Sequence, residues 1–85
     1  MAEQSMEQMF EMLKVHAKRI MGEKYDVGQV TLDRTFVELG IDSLYLTEIA
    51  FAVLAELDLY VPMAKVARAK NAREFLELVA VELNQ

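Results

Sequence analysis

The chain has 85 residues, 54% of them hydrophobic, and its 14 acidic and 9 basic side chains give a net charge of −5 at pH 7. This length predicts one domain, residues 1–85, with little room for an enzyme cleft and the scaffold that would hold it. The charge disfavours nucleic acid and anionic membrane surfaces as main partners, and the absence of cysteine excludes disulfides and thiolate metal sites.

No targeting or membrane segment is expected. The first ten residues contain acids, and they lack the basic stretch followed by an apolar stretch that marks a secretory signal. The longest purely apolar run, residues 49–55, is far shorter than the ~20 residues that cross a bilayer. We therefore expect a cytoplasmic protein without a membrane span, and we expect it to be a monomer.

The first predicted element is a helix over residues 5–21. Its apolar residues recur at three- and four-residue steps, which is typical of one buried helical stripe. Ser5 and Gln8 form a capping-box pattern, and Gly22 stands where the helix should end. His16 lies on the charged face of this helix, so we expect it at the surface.

A long connection follows over residues 23–42, where no helical period holds. A bare loop of about twenty residues would be unusual in so small a domain, so we expect Phe36 and Leu39 to hold it against the core. A helical turn is expected near residues 35–39. A strand over residues 27–32 would have no partner and is not expected.

The rest of the chain predicts three more helices. The second covers residues 43–57 with Asp42 as its N-cap, and a short third helix is expected over residues 63–68 after a proline. Asn71 caps the last helix, with Glu74 completing a capping box. The predicted fold is all-α, a small four-helix bundle of three main helices and a short third helix, with a long first loop. The residues expected to face inward from the second and last helices are Leu46, Ile49, Ala50, Val53, Leu54, Leu57, Phe75, Leu76, Leu78, Val79 and Leu83.

The most informative segment reads Phe-Val-Glu-Leu-Gly-Ile-Asp-Ser-Leu over residues 36–44. It places Ser43 at a predicted helix start, beside unpaired backbone N–H groups at the positive end of the helix dipole. A phosphodiester is favoured there. Gly40 gives the backbone the conformational freedom that a tight turn into the helix requires. Taken alone, the Asp42–Ser43 pair would be read as an ordinary helix cap.

This segment resembles the attachment site of acyl carrier proteins, in which Asp-Ser-Leu follows Leu-Gly-x and begins the second helix. The resemblance covers roughly residues 30–83 and includes Glu48, at the place of a family acid, and a proline nineteen residues after the serine. It implies that Ser43 carries covalent 4′-phosphopantetheine, on which acyl intermediates are held as thioesters. It also implies a non-catalytic carrier, with Asp42 both capping the helix and helping the phosphopantetheinyl transferase.

The resemblance implies a set of partner enzymes as well. These are the transferase that installs the arm and acyl-loading or acyl-processing enzymes such as an acyltransferase or a ketosynthase. Leu44 and Tyr45 lie beside the helical stripe, and their position next to Ser43 predicts docking contacts, although exposed apolar residues are common. Glu48 is equally well read as a docking contact or as a solvated charge.

The charge pattern departs from that of fatty acid carriers, whose second and third helices are acid-rich. Here the four cations Lys65, Arg68, Lys70 and Arg73 follow with no acid between Asp58 and Glu74. That sign opposes basic partner enzymes, so we expect a specialised polyketide or modified-lipid pathway. The Gly-Ile-Asp-Ser-Leu form also differs from the Gly-Gly-His-Ser and Gly-Gly-Asp-Ser forms that are typical of peptidyl carriers.

Other functions stay open on sequence alone. One is a housekeeping carrier of fatty acid synthesis, and another is an unmodified helical adaptor in which Asp-Ser-Leu is a chance match. A small hydrolase using Ser43 and His16 is disfavoured, because there is no oxyanion motif and too little chain to bury a site. No second histidine or cysteine accompanies His16, so neither a metal site nor catalytic residues are expected.

Overall fold

The computed structural model describes residues 5–84, so the first four of the ten N-terminal residues considered above lie outside it. Four α-helices occur in this range: α1 (Met6–Met21), α2 (Ser43–Glu56), α3 (Met63–Val66) and α4 (Ala72–Leu83). A short 3₁₀ helix, Val27–Gln29, lies in the first loop. This architecture confirms the predicted four-helix bundle. Within residues 5–84, no helix combines the length and the apolar character needed to cross a membrane.

Helix α1 ends at Met21 as predicted and begins one residue later than predicted, with Ser5 as its N-cap. The Ser5 hydroxyl accepts a hydrogen bond from the Gln8 N–H at 3.0 Å, and the Gln8 side chain accepts one from the Ser5 N–H at 3.1 Å. At the other end, Gly22 adopts φ 106° and its N–H donates to the Lys18 carbonyl at 3.0 Å. Glycine takes this backbone angle without steric cost, which explains why the helix stops there.

The core of the described chain is apolar throughout, since no polar or charged residue in it is buried. Helix α1 packs against α2 and α4, while α3 packs against both α2 and α4. The first loop contributes Phe36 and Leu39, which are 4% and 2% exposed, and so the prediction that both are buried is confirmed. The buried residues of the four α-helices are Met9, Leu13, Ala17, Leu46, Ile49, Ala50, Val53, Leu54, Val66, Ala72, Phe75, Leu76 and Val79.

Hydrogen bonds hold the long loop to the bundle. The Tyr25 hydroxyl donates to the Leu39 carbonyl at 2.6 Å. The Phe36 N–H donates to the Lys70 carbonyl at 2.9 Å, which joins the loop to the residues before α4. Burial raises the pKa of Tyr25, so its hydroxyl remains a donor to higher pH than that of a free tyrosine.

The helical turn expected near residues 35–39 is present. The Leu39 N–H donates to the Thr35 carbonyl at 3.1 Å, as in one turn of an α-helix. The Thr35 and Glu38 side chains each accept from the other residue's N–H, at 3.1 and 3.0 Å. These bonds from Thr35 lower the pKa of Glu38. The closed turn sets the path of the chain into α2.

Replacing Tyr25 tests how much this loop contact contributes. We expect Tyr25→Phe to lower the free energy of unfolding by about 1 kcal/mol, because the Leu39 carbonyl loses its donor. The measurement is chemical denaturation, with Tyr60→Phe as the matched control because Tyr60 is 79% exposed. Equal midpoints for the two variants would show that the hydrogen bond does not stabilise the loop.

Three predicted helix boundaries or facings require correction. Helix α2 ends at Glu56, one residue earlier than predicted, and Leu57 is its C-cap. Helix α3 is one turn long, because the Arg68 N–H bonds the carbonyl three residues back rather than four, and the chain tightens into turns. Leu57 and Leu83 face inward as expected, half-buried and packed against the core, whereas Leu78 is half-buried and lines a surface groove between α3 and α4.

The capping box predicted for α4 is also different in detail. The Asn71 side chain accepts from the Glu74 N–H at 2.9 Å, as expected. The Glu74 carboxylate, however, accepts from the Lys70 N–H at 2.8 Å rather than from that of Asn71. The reciprocal bond is therefore shifted by one residue, because the amide that faces this carboxylate belongs to the residue before the cap.

Candidate functional site

Ser43 is the first residue of α2, and its side chain is exposed. Asp42 is the N-cap, as predicted: its carboxylate accepts from the Tyr45 N–H at 2.9 Å, and its carbonyl accepts from the Leu46 N–H at 2.8 Å. The Ser43 carbonyl accepts from the Thr47 hydroxyl at 2.8 Å. Among residues 5–84 the Ser43 hydroxyl itself takes part in no hydrogen bond; the bonds at this helix start involve Asp42 and the Ser43 carbonyl.

The approach to Ser43 depends on a glycine conformation. Gly40 has φ 74°, and its N–H donates to the Val37 carbonyl at 3.1 Å. Space is not the constraint, because a Cβ at this position would meet no atom within 4 Å. The left-handed backbone angle is what favours glycine here. It lets the chain turn from the loop directly into Asp42 and Ser43.

An apolar groove of about 460 Å³ opens beside Ser43. It lies between the end of the first loop, the start of α2 and the residues that follow α3. Such a groove can shelter an apolar chain attached at the serine, because its walls offer mainly hydrocarbon surface. Its lining residues are Thr35, Phe36, Val37, Ile41, Asp42, Ser43, Leu46, Ala67, Ala69 and Lys70.

His16 is partly exposed on α1, and its ring is engaged by two neighbouring side chains. Its side chain is 15% exposed, with Nε2 2.6 Å from a Glu56 carboxylate oxygen and Nδ1 3.0 Å from an Arg19 guanidinium nitrogen. Glu56 is the last residue of α2 and Ser43 the first, so about 20 Å of helix separates them. A Ser43–His16 hydrolytic pair is therefore excluded by geometry. In the described part of the chain, no cluster of three or more His, Asp or Glu side chains could hold a metal ion.

The predicted docking residues surround Ser43 on the outer surface of α2. Leu44 is 67% exposed, Tyr45 is 37% exposed and Glu48 is also exposed. Sequence reasoning did not single out Phe51, which is 67% exposed and lies about two turns beyond Ser43, rotated by about 80° around the helix axis. The available signal was its position off the buried stripe, within an unbroken apolar run.

Arg73 belongs to the scaffold rather than to a free charged surface. Its guanidinium donates to both carboxylate oxygens of Asp33, at 2.7 and 3.0 Å. This bidentate hydrogen bonding lowers the pKa of Asp33 and raises that of Arg73. Of the four cations that the sequence places together, one is therefore used to hold the first loop against α4.

These features define a small helical domain with a free hydroxyl at the start of its second helix and an apolar groove beside it. The family model described as the phosphopantetheine attachment site matches residues 13–79. The chain therefore belongs to the phosphopantetheine-attachment family of acyl carrier proteins. Domains of this family are the site of covalently attached 4′-phosphopantetheine, so the predicted cofactor is confirmed.

A solved structure supports the same assignment. The chain is similar to the 3,7-dioxo-octyl actinorhodin acyl carrier protein from Streptomyces coelicolor, with 26% sequence identity and a TM-score of 0.73. The alignment covers 95% of this chain and 92% of the other. The comparison with curated proteins found no matching relative. The structural likeness confirms the predicted fold class, and it agrees with a non-catalytic carrier.

Proposed function

We propose that Ser43 bears the 4′-phosphopantetheine arm and that the chain presents acyl groups, held on it as thioesters, to biosynthetic enzymes. The observation that carries this proposal is the free, exposed hydroxyl of Ser43 at the first turn of α2. It lies inside the matched residues 13–79 and opens onto the apolar groove. In this role the protein is a substrate of other enzymes and is not itself a catalyst.

The start of α2 fits the phosphodiester of such an arm. The N–H groups of Ser43 and Leu44 have no carbonyl partner within the helix, while the N–H of Tyr45 is taken by Asp42. Two donors and the positive end of the helix dipole therefore remain beside the Ser43 hydroxyl. When bound, the group supplies a flexible arm that ends in a thiol, which this cysteine-free chain lacks.

The groove gives an attached acyl chain a place away from water. Burial of one methylene group contributes about 0.8 kcal/mol, so a few groups are enough to favour a sheltered state over an extended one. Phe36 and Leu46 lie on its walls and are also members of the core. These two walls of the groove are therefore held in place by the packing of the core.

The direct test is arm transfer to the apo protein. Incubation with coenzyme A and a promiscuous phosphopantetheinyl transferase should raise the intact mass by one arm. An unmodified adaptor would gain no mass under these conditions. An unchanged mass, with a known carrier modified in the same reaction, would contradict the proposed function.

The partners of this carrier are expected to dock on the start of α2. We expect the phosphopantetheinyl transferase, and an acyltransferase or ketosynthase, to contact Leu44, Tyr45 and Glu48. All three are exposed and lie within about two helical turns of Ser43. Exposed apolar side chains beside a reactive group offer contact area, and the carboxylate offers orientation.

Reversing the charge of Glu48 tests this docking surface. We expect Glu48→Lys to slow arm transfer or acyl loading by about two- to fivefold, because one exposed ion pair contributes up to about 1 kcal/mol. Helicity should not change, since Glu48 makes no ion pair within residues 5–84. The control is Glu77→Lys, an equal charge change on α4. Equal rates for both variants would remove Glu48 from the docking surface.

For the pathway, we propose a specialised polyketide or modified-lipid route rather than housekeeping fatty acid synthesis. The basic residues that follow Pro62 support this, because they oppose the basic surfaces of fatty acid enzymes. The structural likeness to an actinorhodin carrier points the same way. The alternative is a general fatty acid role, which predicts loading and elongation as fast as those of the host's own carrier.

Charge reversal near α3 separates the two pathways. The holo protein should be a poor substrate of a housekeeping malonyl transferase, most clearly at low salt, where screening is weakest. Lys65→Glu combined with Arg68→Glu should raise the loading rate about tenfold, since like charges across an interface slow encounter. If the unaltered protein is already loaded at the rate of the host's carrier, the general fatty acid role is correct.

A further inference from the structure

Tyr25 lies in the first loop, far from Ser43 in sequence, and its ring packs against the core. The Lys18 ammonium holds the backbone of this residue from the last turn of α1. It donates to the Glu23 carbonyl at 2.6 Å and to the Tyr25 carbonyl at 2.8 Å. The ring is thus fixed by the core and the backbone by α1, so the phenol hydroxyl is presented from a rigid support.

The phenol hydroxyl donates to the Leu39 carbonyl at 2.6 Å. That carbonyl belongs to the peptide unit that joins Leu39 to Gly40, and the N–H of the same unit donates to the Val37 carbonyl at 3.1 Å. The carbonyl and the N–H of a trans peptide point in opposite directions, so this unit is held from two sides. The turn itself supplies one of the two contacts, and Tyr25 supplies the other.

This peptide unit determines the conformation of Gly40. Rotation of its plane changes the φ angle of Gly40, which is 74° in the structure. A glycine adopts positive and negative φ about equally readily, so the residue itself does not select the left-handed conformation. The two hydrogen bonds on the peptide unit select it instead. One further backbone bond, from the Ile41 N–H to the Phe36 carbonyl at 2.9 Å, follows before the chain reaches Asp42.

Burial increases the effect of the contact with Tyr25. Leu39 is 2% exposed, so its carbonyl has almost no access to water in the observed orientation. Without the phenol hydroxyl this carbonyl would be buried and unpaired, which costs more than the loss of an exposed hydrogen bond. Rotation of the peptide unit would relieve that cost, and it would change the φ angle of Gly40 at the same time.

We infer that Tyr25 is a positioning residue for arm transfer, because its hydroxyl holds the Leu39–Gly40 peptide unit in the orientation that presents Ser43 at the start of α2. This inference rests on the proposed function, since it concerns the transfer of the arm to Ser43. Tyr25 is not among the residues that line the Ser43 groove, so it acts through the turn before α2.

The test compares the steady-state kinetics of arm transfer to Tyr25→Phe and to Ser5→Ala, with coenzyme A and a promiscuous phosphopantetheinyl transferase. Each change removes one hydrogen bond, but only Tyr25→Phe affects the peptide unit before Ser43. Tyr25→Phe should lower kcat/KM about fivefold, mainly through kcat, because the start of α2 still binds the enzyme while the hydroxyl is misplaced. Ser5→Ala should react at the parent rate. In ¹⁵N-labelled protein, the Gly40 amide shift should move in the first variant and stay unchanged in the second.

Gly40→Ala gives an independent measurement, because it disfavours the left-handed conformation directly, while its Cβ would meet no atom within 4 Å. It should lower kcat/KM about tenfold. Adding Tyr25→Phe to it should cause no further fall, since both changes act on one peptide unit. Losses that multiply in the double variant, or a Tyr25→Phe rate equal to that of Ser5→Ala, would overturn this inference alone. A parent protein that accepts no arm would contradict the proposed function and this inference with it.

Discussion

Ser43→Ala should abolish arm transfer completely while leaving the protein folded. The alanine removes the only atom to which the phosphodiester can be joined at this position. The hydroxyl makes no hydrogen bond among residues 5–84, and the bond from Thr47 goes to the backbone carbonyl, which the variant keeps. Intact mass after reaction with coenzyme A and the transferase gives the result, and circular dichroism reports the unchanged helicity.

A second serine serves as the control for this loss. Ser5 also stands at a helix start and caps α1 through the Gln8 N–H. Ser5→Ala should weaken that cap by about 1 kcal/mol yet accept the arm at the normal rate. Peptide mapping should place the modification on Ser43 in this variant. An arm that persists on Ser43→Ala, or that maps to Ser5, would refute the assignment of the site.

Phe36→Ala should lower the free energy of unfolding by about 3–5 kcal/mol, as for other buried aromatic residues. Phe36 is 4% exposed, and its N–H holds the loop to the Lys70 carbonyl at 2.9 Å. Small domains have total stabilities of about 5–15 kcal/mol, so this loss is enough to unfold a large fraction of the molecules. The midpoint of chemical denaturation measures the change.

The neighbouring residue provides the comparison. Val37 borders the same groove as Phe36 but is 87% exposed. Val37→Ala should therefore change the free energy of unfolding by less than about 0.5 kcal/mol. If the midpoint of Phe36→Ala falls within error of the parent protein, the aromatic ring does not contribute to the core, and the long loop must be held by its hydrogen bonds and by its other buried residues, such as Leu39.

Local features of the chain were predictable from the sequence, because they depend on residues within about four positions of one another. The apolar period marks α1, α2 and α4, and Ser5, Asp42 and Asn71 begin these helices as their side chains predict. Ser43 was recognisable for the same reason, since its neighbours are contiguous. These helix starts and Ser43 could be identified without knowing how the helices pack.

Contacts between distant residues were decided only by the tertiary structure. His16 meets Glu56, and Arg73 meets Asp33, each across forty positions of sequence. No local pattern encodes such pairs, because helix packing alone determines which polar side chains come within hydrogen-bonding distance. This is why the pairing of His16 with Glu56 could not be expected from the sequence.

The groove beside Ser43 shows most clearly which features depend on the local sequence and which depend on the packing. By itself the sequence determined the serine, its cap and the helix that displays it, because these follow from side-chain chemistry over a few residues. Only the packing of α3 and the first loop against α2 decided which residues would form the walls, and it brought in Lys70. A cavity is a property of surfaces that meet, so its shape and charge depend on how the elements pack.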